Sequence, residues 1–281
     1  MKTFVAALVI AVSLCAQPNY PTYSAADLLN GASFQPGLAP NTIVSLFTAG
    51  GSLSWNTVAV QTSDLIDGQL PTALGGVQVF VATYPARLYY VSPTQVNLLI
   101  PSYLRPGVMD LWLARDGASG PVVQITVNAA APALFQTSAG IAVATHADGS
   151  LITAAAPATA GEVIVLYANG LGWVYPAGLG WTYAAASGWT PQAGVACNED
   201  GTQDGILPVA AQWLCNMQQF SVWIAGTPID SGLILYAGVT PGYAGLYQVN
   251  VRLPAKFTPN PEIRVAVGAS VSAAGILLPA M

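Results

Sequence analysis

One heptapeptide occurs twice in this chain, and it constrains the fold more than any other feature. Gln95-Val96-Asn97-Leu98-Leu99-Ile100-Pro101 returns as Gln248-Val249-Asn250-Val251-Arg252-Leu253-Pro254. Its surroundings return in the same order. Upstream of each copy stands a Tyr and then a Ser/Thr-Pro turn, Tyr90 with Ser92-Pro93 and Tyr236 with Thr240-Pro241. Further upstream lie the alternating runs Val77/Val79/Val81 and Phe220/Val222/Ile224. Before those come the opening runs Pro40 to Phe47 and Ala160 to Tyr167, each a strand after a turn. A repeat of this length points to one structural unit used twice.

Within each copy the apolar runs are short, follow a period of two and stop at Gly, Pro, Asn or Asp. Period-two alternation is the mark of a strand with one buried face. The expected fold class is therefore all-β, with two tandem immunoglobulin-like β-sandwich domains. Ala129-Ala130-Ala131-Pro132 is the expected junction, giving domain 1 over 20–131 and domain 2 over 132–281, the latter with an insertion at 171–219. Hydrophobic residues make up 53% of the chain and charged residues only 7%. That balance raises the question of a membrane protein, yet no internal apolar run approaches the roughly 20 residues of a spanning helix. Short strands account for the composition.

The start of the chain is different. Lys2 precedes an apolar run from Phe4 to Leu14, and small residues follow, so residues 1–16 read as a signal peptide. A lipoprotein signal with Cys15 as the lipidated residue is an alternative, although Leu14 stands where that signal wants a small residue. An N-terminal core strand is another. Export to a secreted, extracellular or cell-surface location makes Cys197 and Cys215 a candidate disulfide, with two free thiols as the alternative.

The net charge is −5 and the basic residues are scattered, which argues against a nucleic-acid partner. Gly-Trp recurs every eight residues in the insertion, at Trp173, Trp181 and Trp189. In extended chain an even period puts these rings on one face with Tyr175 and Tyr183. Such a row can stack polysaccharide rings or dock a cell-surface or extracellular protein, a second copy included. It can also cap an open end of the core. Asp200, Thr202 and Asp204 before Gly205 repeat half of a calcium loop, though Ala211 stands where the bidentate Glu belongs. A solvated turn is the competing reading, and no other cofactor is expected.

No catalytic residues are expected. His146 is the sole histidine and no Gly-x-Ser-x-Gly elbow exists. A secreted glycoside hydrolase would have to draw its carboxylates from Asp64/Asp67 or Glu199/Asp200/Asp204.

Several strings together resemble a known family: Asn30-Gly31-Ala32-Ser33-Phe34, Tyr90 to Asn97, Asp148-Gly149-Ser150, Gly161-Glu162, Asn169-Gly170-Leu171-Gly172 and Gly245 to Asn250. They are similar to the Solibacter-type uncharacterised C-terminal domain of exported acidobacterial proteins, and each copy looks like an IPT/TIG-type immunoglobulin domain. The resemblance implies a non-catalytic exported surface module acting through protein association or adhesion. It brings no site residues with it.

Overall fold

The computed structural model describes residues 20–50, 52–194, 196–197 and 204–281. The expected signal peptide and Cys15 lie outside the described residues. Two pairs of antiparallel sheets form the body of the protein. In spatial order the first sheet takes β1 (Leu28–Asn30), β2 (Ile43–Phe47), β7 (Gln95–Leu99), β6 (Arg87–Val91) and β3 (Val58–Ala59). Facing it are β10 (Val123–Val127), β8 (Gly107–Arg115), β4 (Val77–Val81) and β5 (Tyr84–Pro85), with β9 (Ala118–Ser119) on β8. The third sheet takes β11 (Ala133–Leu134), β13 (Val163–Asn169), β20 (Tyr247–Arg252), β19 (Ile234–Val239) and β16 (Gln212–Trp213), with β12 (Ala144–His146) on β13. The fourth takes β18 (Thr227–Pro228), β17 (Phe220–Ile224), β21 (Ile263–Val267) and β22 (Ser270–Val271). A separate hairpin, β14 (Trp181–Ala184) with β15 (Gly188–Pro191), lies in the insertion.

The all-β expectation holds, and each pair packs as a sandwich for the reason the alternation gives. Val77, Val79 and Val81 turn inward to meet Val44, Leu46, Val96 and Leu98 from the facing sheet. Phe220, Val222 and Ile224 meet Ile164, Leu166, Val249 and Val251 in the same way. Burying a Val or Leu side chain is worth about 1.5–3 kcal/mol, so a one-residue slip that reversed either strand would be prohibitive.

The sequence repeat is a repeat of register. Gln95 lies opposite Phe47 and Asn97 opposite Ser45, while Gln248 lies opposite Tyr167 and Asn250 opposite Val165. Both central ladders slip at the same place, between Leu88 and Tyr90 in one and between Ile234 and Tyr236 in the other. Both Gln side chains donate to the Asn two residues on, at 2.8 and 3.2 Å.

Polar groups join the two sheet pairs. The Asn169 side chain accepts from the Ile43 N–H at 3.0 Å and donates to the Ile43 carbonyl at 2.7 Å and to Asn30 Oδ1 at 2.9 Å. Asn41 donates to the Tyr247 hydroxyl at 3.1 Å, and Tyr89 donates to the Ala244 carbonyl. Leu70, Leu99 and Ala244 form a small apolar cluster beside these bonds.

Candidate functional site

The Trp-rich insertion does not make one extended face. Gly180 has φ 158°, and a Cβ there would collide with the Trp213 ring at 2.4 Å. Gly188, at φ 69°, closes the turn between β14 and β15. The Gly-Trp octad is thus a turn-and-strand period, and the chain reverses where continuous extension was expected. The hairpin places Tyr183 opposite Trp189 and Trp181 opposite Pro191.

The five aromatic positions consequently divide. Trp189 and Tyr175 are buried, and the Trp189 indole donates to the Ser231 carbonyl at 3.1 Å. Trp181 is half-buried and donates to the Leu214 carbonyl at 2.8 Å. Trp173 is half-buried, and its Nε1 lies at the buried junction with Ser102. Tyr183, 39% exposed, is the outermost. From it rings run inward through Trp189 and Trp213 to Tyr236, with centroids 5.2, 5.2 and 4.8 Å apart. This stack extends the second core.

The acidic loop is pinned as well. Cys197 and Cys215 are disulfide-bonded, with Cα atoms 5.9 Å apart. Asp204, a candidate calcium ligand, is buried, with both oxygens engaged: the Arg87 guanidinium donates at 3.2 Å and the Ser102 N–H at 2.8 Å. A cation would have to displace that guanidinium, so Asp204 serves as a strut between the sheet pairs rather than as an open metal ligand. Asp200, Thr202 and Glu199 lie outside the described residues. Elsewhere acids cap turns: Asp64 accepts from Gln61 N–H at 2.7 Å, Asp148 from Ser150, and Glu162 from Thr159 and His146.

One acid is different. On β8, Leu111, Leu113 and Arg115 point inward, which turns Asp110 and Trp112 to the outside. Trp112 stands opposite Phe80 on β4, and the two rings stack at 5.0 Å and 11°. The turn after β4 leans on β8 because the Ala82 N–H donates to the Asp110 carbonyl at 2.7 Å. Ala82 takes φ 54° to allow it. Between turn and strand lies an open cleft of about 500 Å³, lined by Ala82, Thr83, Val108, Met109, Asp110 and Trp112. That volume is in the range of small-ligand sites. An indole wall, a carboxylate acceptor and a hydroxyl can together hold an apolar ring face and its polar rim. Reading the sequence missed this group. The signal was available in Asp110-Leu111-Trp112-Leu113, where a Trp falls on the polar phase of an alternating strand.

No protein-family model matches the chain, and no curated protein matches it significantly. Among solved structures, it is similar to an SGBP-B of a Bacteroides ovatus mixed-linkage glucan utilization locus, in complex with a mixed-linkage heptasaccharide. The identity is 9% and the TM-score 0.29, over 87% of this chain and 42% of that one. An SGBP-B from a Bacteroides uniformis xyloglucan utilization locus is 8% identical with a TM-score of 0.25, over 92% and 50%. The surface glycan-binding protein PbSGBP-B from Prevotella bryantii is 7% identical with a TM-score of 0.24, over 91% and 41%. The chain spans half the length of these structures or less.

Proposed function

We propose that this chain is a non-catalytic extracellular or cell-surface module that works by contact, and that polysaccharide is the partner its surface fits. The Trp112 cleft carries this reading: it is open to solvent, walled by an aromatic ring and edged by an acceptor and a hydroxyl. The acids that cap turns or brace the sheet pairs favour a structural use of charge over acid–base chemistry. The disulfide favours an oxidising compartment outside the cytoplasm. The duplicated register favours two copies of one domain. The test is native electrophoresis of the full chain in gels containing soluble neutral polysaccharides, with reducing ends assayed in parallel. Retardation without new reducing ends is expected. Unretarded migration in every gel, or release of reducing ends, would overturn the reading.

A second reading is protein association, self-association included. It draws on an apolar groove of about 420 Å³ lined by Ile141, Val143, Leu151, Ile152 and Pro279. Sedimentation at rising concentration tests the self-association form, and a constant monomer mass counts against it.

A further inference from the structure

The two sheet pairs act as controls for each other, because the backbone around the cleft is built twice. Ala82, at φ 54°, has its counterpart in Ala225, at φ 50°. The Ala82 N–H donates to the Asp110 carbonyl, and the Ala225 N–H to the Glu262 carbonyl at 2.9 Å. Phe80 lies opposite Trp112, and Trp223 lies opposite Arg264. On this shared frame the side chains diverge. Where the first pair has Thr83, Asp110 and Trp112, the second has Gly226, Glu262 and Arg264.

The replacements occupy the polar groups of the second position. Arg264 donates twice to the Ser272 carbonyl, at 3.0 and 2.7 Å. Glu262 accepts from the Gly275 N–H at 3.0 Å, and the Trp223 indole donates to Ser221 Oγ at 3.0 Å. Gly226 offers no side chain. At the first position, the side chains of Thr83 and Asp110 make no hydrogen bond to the described residues, and Asp110 is exposed. One copy spends its polar groups on itself and the other presents them.

We infer that the chain carries a single sugar site, in the first sheet pair, formed by Trp112, Asp110 and Thr83, and that it takes a neutral polymer of equatorially substituted pyranoses. The inference rests on the polysaccharide reading above. Phe80 stacks on one face of the Trp112 indole, and the half-exposed indole lines the cleft. A pyranose with equatorial hydroxyls offers a matching patch of C–H groups on both ring faces, whereas an axial hydroxyl interrupts the face from which it projects. Asp110 accepts hydrogen bonds from sugar hydroxyls and repels the carboxylates of an acidic polymer, as does the net charge of −5.

Titration calorimetry and affinity electrophoresis on the full chain test this with hydroxyethylcellulose, soluble xylan and polygalacturonate as probes. The expected results are retardation by the neutral polymers and one site per chain. Trp112→Ala should weaken binding by about tenfold or more, whereas Trp223→Ala should stay within about twofold of wild type. Trp112→Phe and Thr83→Ala, each checked by thermal melting, keep the test open if Trp112→Ala does not fold, and both should weaken binding. Two sites per chain, loss through Trp223→Ala with Trp112→Ala unaffected, or preference for polygalacturonate overturns the inference and leaves the polysaccharide reading standing. If the folded wild type binds none of the polymers, that reading itself fails.

Discussion

The side chain of Asn169 completes the edge of β2 at Ile43: it accepts from the Ile43 N–H and, beside the Gly31 N–H, donates to the Ile43 carbonyl. Asn169→Ala would take the acceptor from the Ile43 N–H and a donor from Asn30 Oδ1, while the Ile43 carbonyl keeps the Gly31 N–H, at a cost of about 1–3 kcal/mol. Chemical denaturation should show that loss, and an unchanged midpoint would contradict the role. His146 illustrates charge used in the same structural way. Its Nδ1 meets Glu162 Oε1 at 2.5 Å. The hydrogen bond that His146 donates to Glu162 raises the His146 pKa above 6.5. Burial pushes Glu162 up, but the hydrogen bonds from His146 and Thr159 outweigh it and hold its pKa below 4.5. A raised His pKa gives stability that is full below about 6.5 and is lost as pH rises through the folded value. The lowered Glu pKa gives stability that is present above about 4.5 and is lost as pH falls. Melting temperature should therefore decline from pH 6 to pH 8 in the wild type and decline less in His146→Gln. Identical profiles would sink the pairing. Neither role was legible in the sequence, since Asn169 and His146 both stand in ordinary turn strings and their partners are distant in the chain.

At the scale of elements, the strands of both sandwiches were readable because alternation and Gly/Pro punctuation are local. The Trp hairpin was not, because its period of eight fits extended chain as well as turn-and-strand. The deciding quantity was the backbone conformation of Gly180 and Gly188, which composition does not encode. Trp189→Ala removes a ring packed between Tyr183 and Trp213 and should cost about 3–5 kcal/mol. If Trp189→Ala melts as the wild type does, the core-capping role is wrong. The disulfide closes a separation of 18 residues beside this hairpin. Loops of that size contribute about 3 kcal/mol, so reduction should lower the melting temperature by on the order of 5–10 °C. Cys197→Ser should melt like the reduced protein, and a reduced protein as stable as the oxidised one would refute the estimate.

For the whole molecule, the repeated heptapeptide proved to be a repeated register, with the ladder irregularity in the same place in each copy. The junction between the sheet pairs lay beyond local reading, because Arg87 with Asp204 and Asn41 with Tyr247 are separated by more than a hundred residues. Separation in the chain also hid the cleft: Thr83 lies in the turn after β4 and Trp112 on β8, and only the second copy shows which of their features is special. Amide hydrogen exchange on the full chain, with and without hydroxyethylcellulose, tests this account most directly. It predicts slowed exchange over 80–84 and 108–112, with the Trp hairpin at 181–191 unchanged. Protection confined to the hairpin would contradict it.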